Sequence, residues 1–296
     1  MFRKMRAKDV QLPDGSVMPK LGQGTWGMAE DDRSADQEIR AIRRGIELGM
    51  TLIDTAEMYA DGGAENLIGD AIRGMDREKL YLISKVYPQN ACRSHIMRSV
   101  EKTLKLLGSE YLDLYLLHWR GNADLAEVAW LMEDLKAKGY IRRWGVSNFD
   151  LQDMEELWTV PGGNGCCVNQ VLYNLESRGI EYDLMEWQRR RRIPFIAYGP
   201  IGQAGRAVTE SGIAKDRMMK DERVRELAER KGISVVQLLL AFVLYQEDVA
   251  AIPKAVCTDH IEENAKSIEV MLTDAEIEQL SKSFPAPTGR VPMEKY

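Results

Sequence analysis

Histidine, cysteine and long apolar runs are the scarce features of this sequence. Of 296 residues, three are histidine (His95, His118 and His260) and four are cysteine (Cys92, Cys166, Cys167 and Cys257). The histidines are scattered without metal-ligand spacing, so no metal centre is expected. No C-x-x-C pair occurs, and the neighbours Cys166 and Cys167 are poorly suited to bridging each other. No disulfide framework is visible, which suits a reducing compartment. The longest apolar stretch, Val235 to Tyr245, is interrupted by Gln237 and is too short to span a bilayer. The N-terminal MFRKMRAKDVQL is basic but has no apolar core, and does not read as a secretory signal. A cytoplasmic location with no membrane partner is the expectation. An excess of positive charge is missing too. Lys plus Arg number 40 against 46 Asp plus Glu, a net charge of -6. That argues against a general nucleic-acid binder, while leaving room for a local basic pocket.

What is present is an ordinary globular composition, 45% hydrophobic and 29% charged. The chain then repeats one pattern. Pro13-Asp14-Gly15 is a turn between alternating residues, which predicts a small hairpin that plugs one end of the fold. Leu21 to Trp26 is the first strand candidate. Ser34 with Gln37 resembles a capping box opening a helix on Ile39, Ile42 and Ile46, stopped by Gly49. Strands follow at about 51–55, 80–85, 111–118, 141–147, 167–173, 193–198 and 249–254. Helical patterns come between most of them, among them Ile96, Val100, Leu104 and Leu107 before Gly108, and a helix from Asp150. Further helices are expected near Asp221–Gly232, over Val235–Tyr245, near Asp259 and at Thr273-Asp274. Eight strands alternating with helices imply a parallel sheet that can close into an α/β (β/α)8 TIM barrel, with an N-terminal β-hairpin and extra C-terminal helices. A doubly wound open sheet is the alternative. No linker divides residues 1–296, so one domain is expected.

The chain is organised around Thr51 to Tyr59, TLIDTAEMY. A short apolar strand releases a carboxylate, Asp54, and a phenol, Tyr59, lies in the turn behind it. Lys85 and His118 end two later strands in the same way. In a parallel barrel those ends share the face on which active sites are built. Each residue has an ordinary explanation alone: Asp54 a helix cap, Tyr59 a packed aromatic, His118 a satisfied core histidine. Lys85 is less ordinary, because an ammonium leaving an apolar strand needs an anionic partner, and Asp54 can be that partner. Together the four make a proton-transfer set. A phenol titrates near 10, too weak an acid for easy protonation of a carbonyl. A nearby ammonium is expected to lower that value. A neutral imidazole can orient the substrate oxygen, and Tyr59 then acts as general acid. No side chain donates hydride, so a cofactor must.

Gly22 to Gly27 matches G-x-G-x-x-G in form, but an acidic loop, Glu30-Asp31-Asp32, separates it from any helix. It reads as a strand–loop corner rather than a dinucleotide fingerprint. Lys254 ends the last strand shortly before a helix, where barrels often hold phosphate. Arg189 to Arg192 end a helix, where cations suit the dipole.

At this point the chain resembles the aldo/keto reductase family over nearly its whole length. The matching segments are LGQGTW at 21–26, GMTLIDTAEMY at 49–59, LISKV at 82–86, YLDLYLLHW at 111–119, IRRWGVSNF at 141–149, NQVLYN at 169–174, AYGPIG at 197–202 and IPKA at 252–255. The likeness is greatest to small bacterial members that reduce methylglyoxal and related aldehydes. The resemblance implies a (β/α)8 barrel that binds NADPH without a Rossmann domain. It implies a tetrad of Asp54, Tyr59, Lys85 and His118, with Tyr59 as proton donor. It places Ser147, Asn148 and Gln170 on the nicotinamide carboxamide and Tyr198 against the ring. Thr25 and Trp26 are implied as further cofactor contacts, and Lys254, His260 and Asn264 lie towards the adenosine end. Trp26 and Trp119 are implied to line the substrate pocket. His260 stands where members commonly carry the arginine that grips the 2′-phosphate, so NADPH is expected with weaker discrimination against NADH.

The leading expectation is therefore an NADPH-dependent reductase of small aldehydes and 2-oxoaldehydes. A keto-sugar is another possible substrate. An aldolase using Lys85 as a Schiff-base nucleophile and a non-catalytic NADP-binding regulatory subunit are the other readings. Specificity is expected from the loops Gln89–Ser94, Gly121–Asp124 and Gly202–Lys220 and from the Pro-rich tail. The resemblance implies a monomer.

Overall fold

Near-continuous apolar runs make strands that are covered on both faces, and the strands here are buried at almost every position. The structure, a computed structural model, describes residues 8–31, 34–202 and 216–293. The hairpin comes first, β1 (Asp9–Gln11) and β2 (Val17–Pro19), paired antiparallel. Eight parallel strands follow: β3 (Gly22–Gly24), β4 (Leu52–Asp54), β5 (Tyr81–Val86), β6 (Leu112–Leu117), β7 (Ile141–Ser147), β8 (Cys166–Leu172), β9 (Phe195–Tyr198) and β10 (Val249–Ala251). They lie in chain order across one sheet. The first and last strands meet. Leu21 bridges Ala251 in parallel, Ala251 N–H donates to Lys20 O at 2.9 Å, and Gly24 N–H donates to Pro253 O at 3.1 Å. Lys20 Nζ adds a bond of 2.6 Å to Gln246 O at the end of the preceding helix. The eight-stranded barrel expected from the sequence is the fold found, and the open-sheet alternative is not.

The hairpin is a plug, as expected. Val10, Leu12 and Met18 pack in one cluster with Leu52, Tyr81, Ile83, Leu114, Leu116, Ile196 and Ala250, all from the barrel interior. The larger cluster fills the layer between the strands' outer faces and the helices. Those helices include α1 (Ala35–Glu47), α2 (Gly63–Ile72), α3 (Ile96–Leu107), α4 (Leu125–Ala137), α5 (Leu151–Thr159) and α6 (Leu184–Arg189). The C-terminal ones are α7 (Glu222–Lys231), α8 (Val235–Tyr245), α9 (Thr258–Lys266) and α10 (Asp274–Ser281). The long apolar run is α8, buried on every side from Leu238 to Leu244. Among the described residues no helix is long and apolar enough to cross a membrane.

Asp150, Ser234 and Thr273 each close a capping box. Ser34 does not. Its backbone is already helical, and its hydroxyl bonds Asp31 O at 2.7 Å and Glu38 Oε1 at 3.2 Å. A cap residue needs an extended backbone to bring its oxygen over the first amides, and Ser34 does not have one, so the capping box expected with Gln37 is absent. The four cysteines are free thiols. Cys166 and Cys167 lie inside β8, and burial pushes the Cys166 thiol up to about 12.

Candidate active site

The period of two along a strand selects which side chains reach the barrel mouth. Leu52, Ile83, Leu116, Val168 and Ile196 all face the interior. Two residues further along, on the same face, stand Asp54, Lys85, His118, Gln170 and Tyr198. The ends of β4, β5, β6, β8 and β9 thus deliver polar groups to one place.

Lys85 Nζ is fully buried and has three acceptors: Asp54 Oδ1 at 2.6 Å, Thr55 O at 2.8 Å and Tyr59 Oη at 3.2 Å. An ammonium has three N–H groups, so all are used. Because Lys85 donates to the phenol oxygen, the phenol's own proton is free to point into the cleft. Burial alone would lower the Lys85 value, but the Asp54 and Tyr59 charges and hydrogen bonds outweigh it and hold the ammonium above its ordinary range. For Tyr59 the balance is the reverse. Burial of the hydroxyl raises it, and Lys85 opposes this without overcoming it. The expectation that the ammonium would bring Tyr59 below its usual value is corrected: desolvation of a phenolate costs more than one shared ammonium returns. His118 is held down to about 2 by burial and by Lys85, so its imidazole is neutral. Its Nδ1 is buried without a hydrogen-bond partner among the described residues, and its ring meets Tyr59 edge-on at 5.8 Å.

The loop carrying Tyr59 is fixed from two sides. Glu57 Oε1 accepts from Tyr87 N–H at 2.7 Å and Asn90 Nδ2 at 3.0 Å. Behind the sheet, Ser84 Oγ donates to Glu65 Oε1 at 2.7 Å, tying α2 to the strand of Lys85.

A second network adjoins the first. Tyr198 Oη donates to Asn148 Oδ1 at 2.7 Å, and Asn148 Nδ2 donates to His118 O at 3.1 Å. Asn148 holds φ of 60°, a left-handed conformation that asparagine tolerates. Ser147 Oγ donates to Gln170 O at 2.9 Å, and Gln170 Nε2 donates to Asp54 Oδ2 at 2.7 Å. Thr25 Oγ1 bonds Asp54 O at 2.9 Å.

These groups line a cleft of ≈ 580 Å³ that runs on to Lys254. Thr25, Trp26, Asp54, Tyr59, His118, Trp119, Ser147, Asn148, Gln170, Tyr198 and Lys254 all border it. Trp26 is exposed, and Trp119 stacks edge-on against Tyr87 at 5.6 Å. Lys85 sits behind the lining. His260 is exposed on α9 and Asn264 is buried there, and neither borders the cleft. Gly22 and Gly24 make a tight corner. A Cβ on Gly24 would lie 2.8 Å from Ile252 O, and among the described residues no α-helix follows Gly27 until Ala35, so no dinucleotide fingerprint is built.

One bordering residue escaped the sequence reading. Glu38 is buried and accepts Ala29 N–H at 2.9 Å, pinning the loop over the cleft. Its signal was present: a carboxylate on the buried face of α1, one turn from Ile42. Gly199 to Gly202 form another wall. Of the expected specificity loops, Gln89–Ser94 and Gly121–Asp124 do not border this cleft. Residues 203–215 lie outside the described residues. The tail turns elsewhere: Arg290 to Met293 cover a separate cavity of ≈ 240 Å³, with Arg290 Nε 2.8 Å from Asp183 Oδ2.

The description "Aldo/keto reductase family" matches residues 20–284 of the chain. The chain is 49% identical to methylglyoxal reductase YeaE of Escherichia coli K12, covering 98% of this chain and 99% of that protein. An aldo/keto reductase from Klebsiella pneumoniae, solved in complex with NADP and acetate, superposes with a TM-score of 0.92 at 44% identity, covering 98% and 99% of the two chains. A Klebsiella pneumoniae structure in complex with NADPH gives 0.93 at 44% identity, covering 99% and 100%.

Proposed function

Because the chain belongs to the aldo/keto reductase family, we propose that it reduces small aldehydes, 2-oxoaldehydes above all, with NADPH and with Tyr59 as proton donor. One observation carries the mechanism: the phenol oxygen of Tyr59 accepts from a buried ammonium that Asp54 holds charged. The 2-oxoaldehyde preference rests on likeness to a methylglyoxal reductase over nearly the full length of both chains.

The residues present fit the cofactor. Amide and hydroxyl groups of Ser147, Asn148 and Gln170 border the cleft beside the tetrad, Tyr198 offers a ring whose hydroxyl is anchored, and Lys254 supplies a cation further along. When bound, the reduced nicotinamide supplies hydride to the carbonyl carbon. The chain's own groups manage the oxygen. His118, neutral, can donate one N–H to it and fix its direction without competing for the proton. Tyr59 gives its proton to that oxygen as negative charge develops, and Lys85 steadies the phenolate left behind. Trp26 and Trp119 give the substrate an apolar wall.

His260 takes the place of a common arginine, and this reading gives it a weak hold on the 2′-phosphate. A lost charge-assisted contact is worth roughly 1.5–3 kcal/mol, about tenfold or more in affinity. The test of the whole reading is NADPH oxidation with methylglyoxal, run beside NADH and a Tyr59→Phe control. Turnover that collapses in the variant supports it. NADPH binding without turnover across a panel of aldehydes and keto-sugars overturns it in favour of a regulatory subunit.

A further inference from the structure

Gln170 makes a contact that cofactor binding does not require. Its Nε2 donates to Asp54 Oδ2 at 2.7 Å, and both side chains are buried. The orientation follows from chemistry. An ionised carboxylate only accepts, so the amide nitrogen must face it and Oε1 is left as the acceptor end of the side chain. The other oxygen of Asp54 is taken by Lys85 at 2.6 Å. A carboxylate held at both oxygens cannot turn about its last bond. Lys85 therefore keeps one fixed acceptor, and its remaining N–H groups are aimed at Thr55 O and Tyr59 Oη.

The backbone of Gln170 is fixed as well. Its carbonyl accepts from Ser147 Oγ at 2.9 Å and from Asn148 N–H at 2.8 Å. We propose that Gln170 is a positioning residue for proton transfer: by holding Asp54 Oδ2 it fixes the chain Asp54–Lys85–Tyr59 and joins the proton donor to the Ser147–Asn148 wall of the cleft. The inference rests on the reading of Tyr59 as proton donor. It makes the amide a two-ended part, with Nε2 spent on the tetrad and Oε1 available to a ligand N–H.

The test compares the wild type with Gln170→Leu, Gln170→Glu, Asp54→Asn and the double variant Asp54→Asn/Gln170→Leu. NADPH affinity is measured by quenching of protein fluorescence. Gln170→Leu is expected to lower kcat about tenfold or more with KM for the aldehyde nearly constant, in addition to the NADPH affinity it loses with Oε1. In the Asp54→Asn background the same change adds little, because the charged oxygen that Gln170 held is replaced by an amide and the one oxygen left turns to Lys85. Thermal unfolding of these proteins without cofactor gives the same non-additivity, independent of turnover. Gln170→Glu has its own signature. A protonated acid donates to Asp54 as the amide does, and an ionised one repels it, so activity declines with rising pH where the wild type is level.

Loss confined to NADPH affinity overturns the inference, as does an equal loss of kcat with and without Asp54. Either returns Gln170 to a cofactor contact. A wild type that turns over no carbonyl removes the proposed function and this inference with it. A wild type that turns over, with an affinity-only loss in the variants, removes this inference alone.

Discussion

Lys85 Nζ lies 2.6 Å from Asp54 Oδ1, and neither side chain meets solvent. A buried pair of this kind is held by mutual compensation. Removing one partner leaves the other charged and unpaired, at a cost of about 3–5 kcal/mol. Lys85→Met is therefore expected to destabilise the protein by about that amount. The double variant Lys85→Met/Asp54→Asn should lose less than the sum of the two singles. Urea unfolding of the four proteins checks this, and additive losses would contradict it.

Tyr59→Phe removes one oxygen and leaves the ring beside His118. Loss of a general acid lowers kcat by roughly 10²–10⁴-fold. NADPH affinity should remain within a few-fold, because the Lys254 and Ser147 ends of the cleft are untouched. Fluorescence titration beside turnover separates the two.

The pH profile follows from the raised Tyr59 value. With Tyr59 as the proposed proton donor, reduction needs the protonated phenol, which persists at every pH below that value. Its rate should stay level through neutrality and decline only above about pH 10. Oxidation of the product alcohol needs the phenolate, so its rate should climb over the same alkaline range. A reduction rate that falls by half near neutrality would contradict the assignment.

His118 links acid to stability. Its folded value, about 2, lies below its ordinary 6.5. The unfolded chain therefore binds a proton that the folded one refuses. Stability from this group is present above about pH 6.5 and is lost as pH falls, by about 1.4 kcal/mol per pH unit. His118→Leu should remove that part of the acid slope, so the wild type loses about 2 kcal/mol more than the variant by pH 5. Parallel denaturation curves at neutral and acid pH measure the difference.

His260→Arg should tighten NADPH binding about tenfold or more and leave NADH binding unchanged. Equal NADPH dissociation constants before and after the change would sink the proposed weakness at the 2′-phosphate.

The legible part of this site is the part written in period two. Asp54, Lys85 and His118 each follow an apolar strand, so their arrival at one barrel mouth could be read from spacing alone. Val235 to Tyr245 was read with the same ease, because a helix buried on all sides has no polar stripe to confuse it. What spacing does not carry is backbone conformation or competition. Ser34 looks like a cap until its backbone proves already helical. Tyr59 looks acidified by Lys85 until its burial is counted. Gln170 looks the same in a strand whichever carboxylate it meets, and its partner lies 116 residues away in the chain. Loop destinations are equally silent, since the tail covers a second cavity rather than the cleft.

The seam between β3 and β10 sets a timetable. One lip of the cleft, Gly24 to Gly27, is synthesised long before the other, Ile252 to Lys254. Asp54, Tyr59, Lys85 and His118 are all synthesised long before they have a cavity to line. Until β10 arrives, β3 is an open edge with its main-chain groups unpaired, a surface on which nascent chains can associate wrongly. The same last strand of the barrel that removes that edge completes the cleft, so release from this hazard and competence to hold a nucleotide come in a single event, the docking of β10.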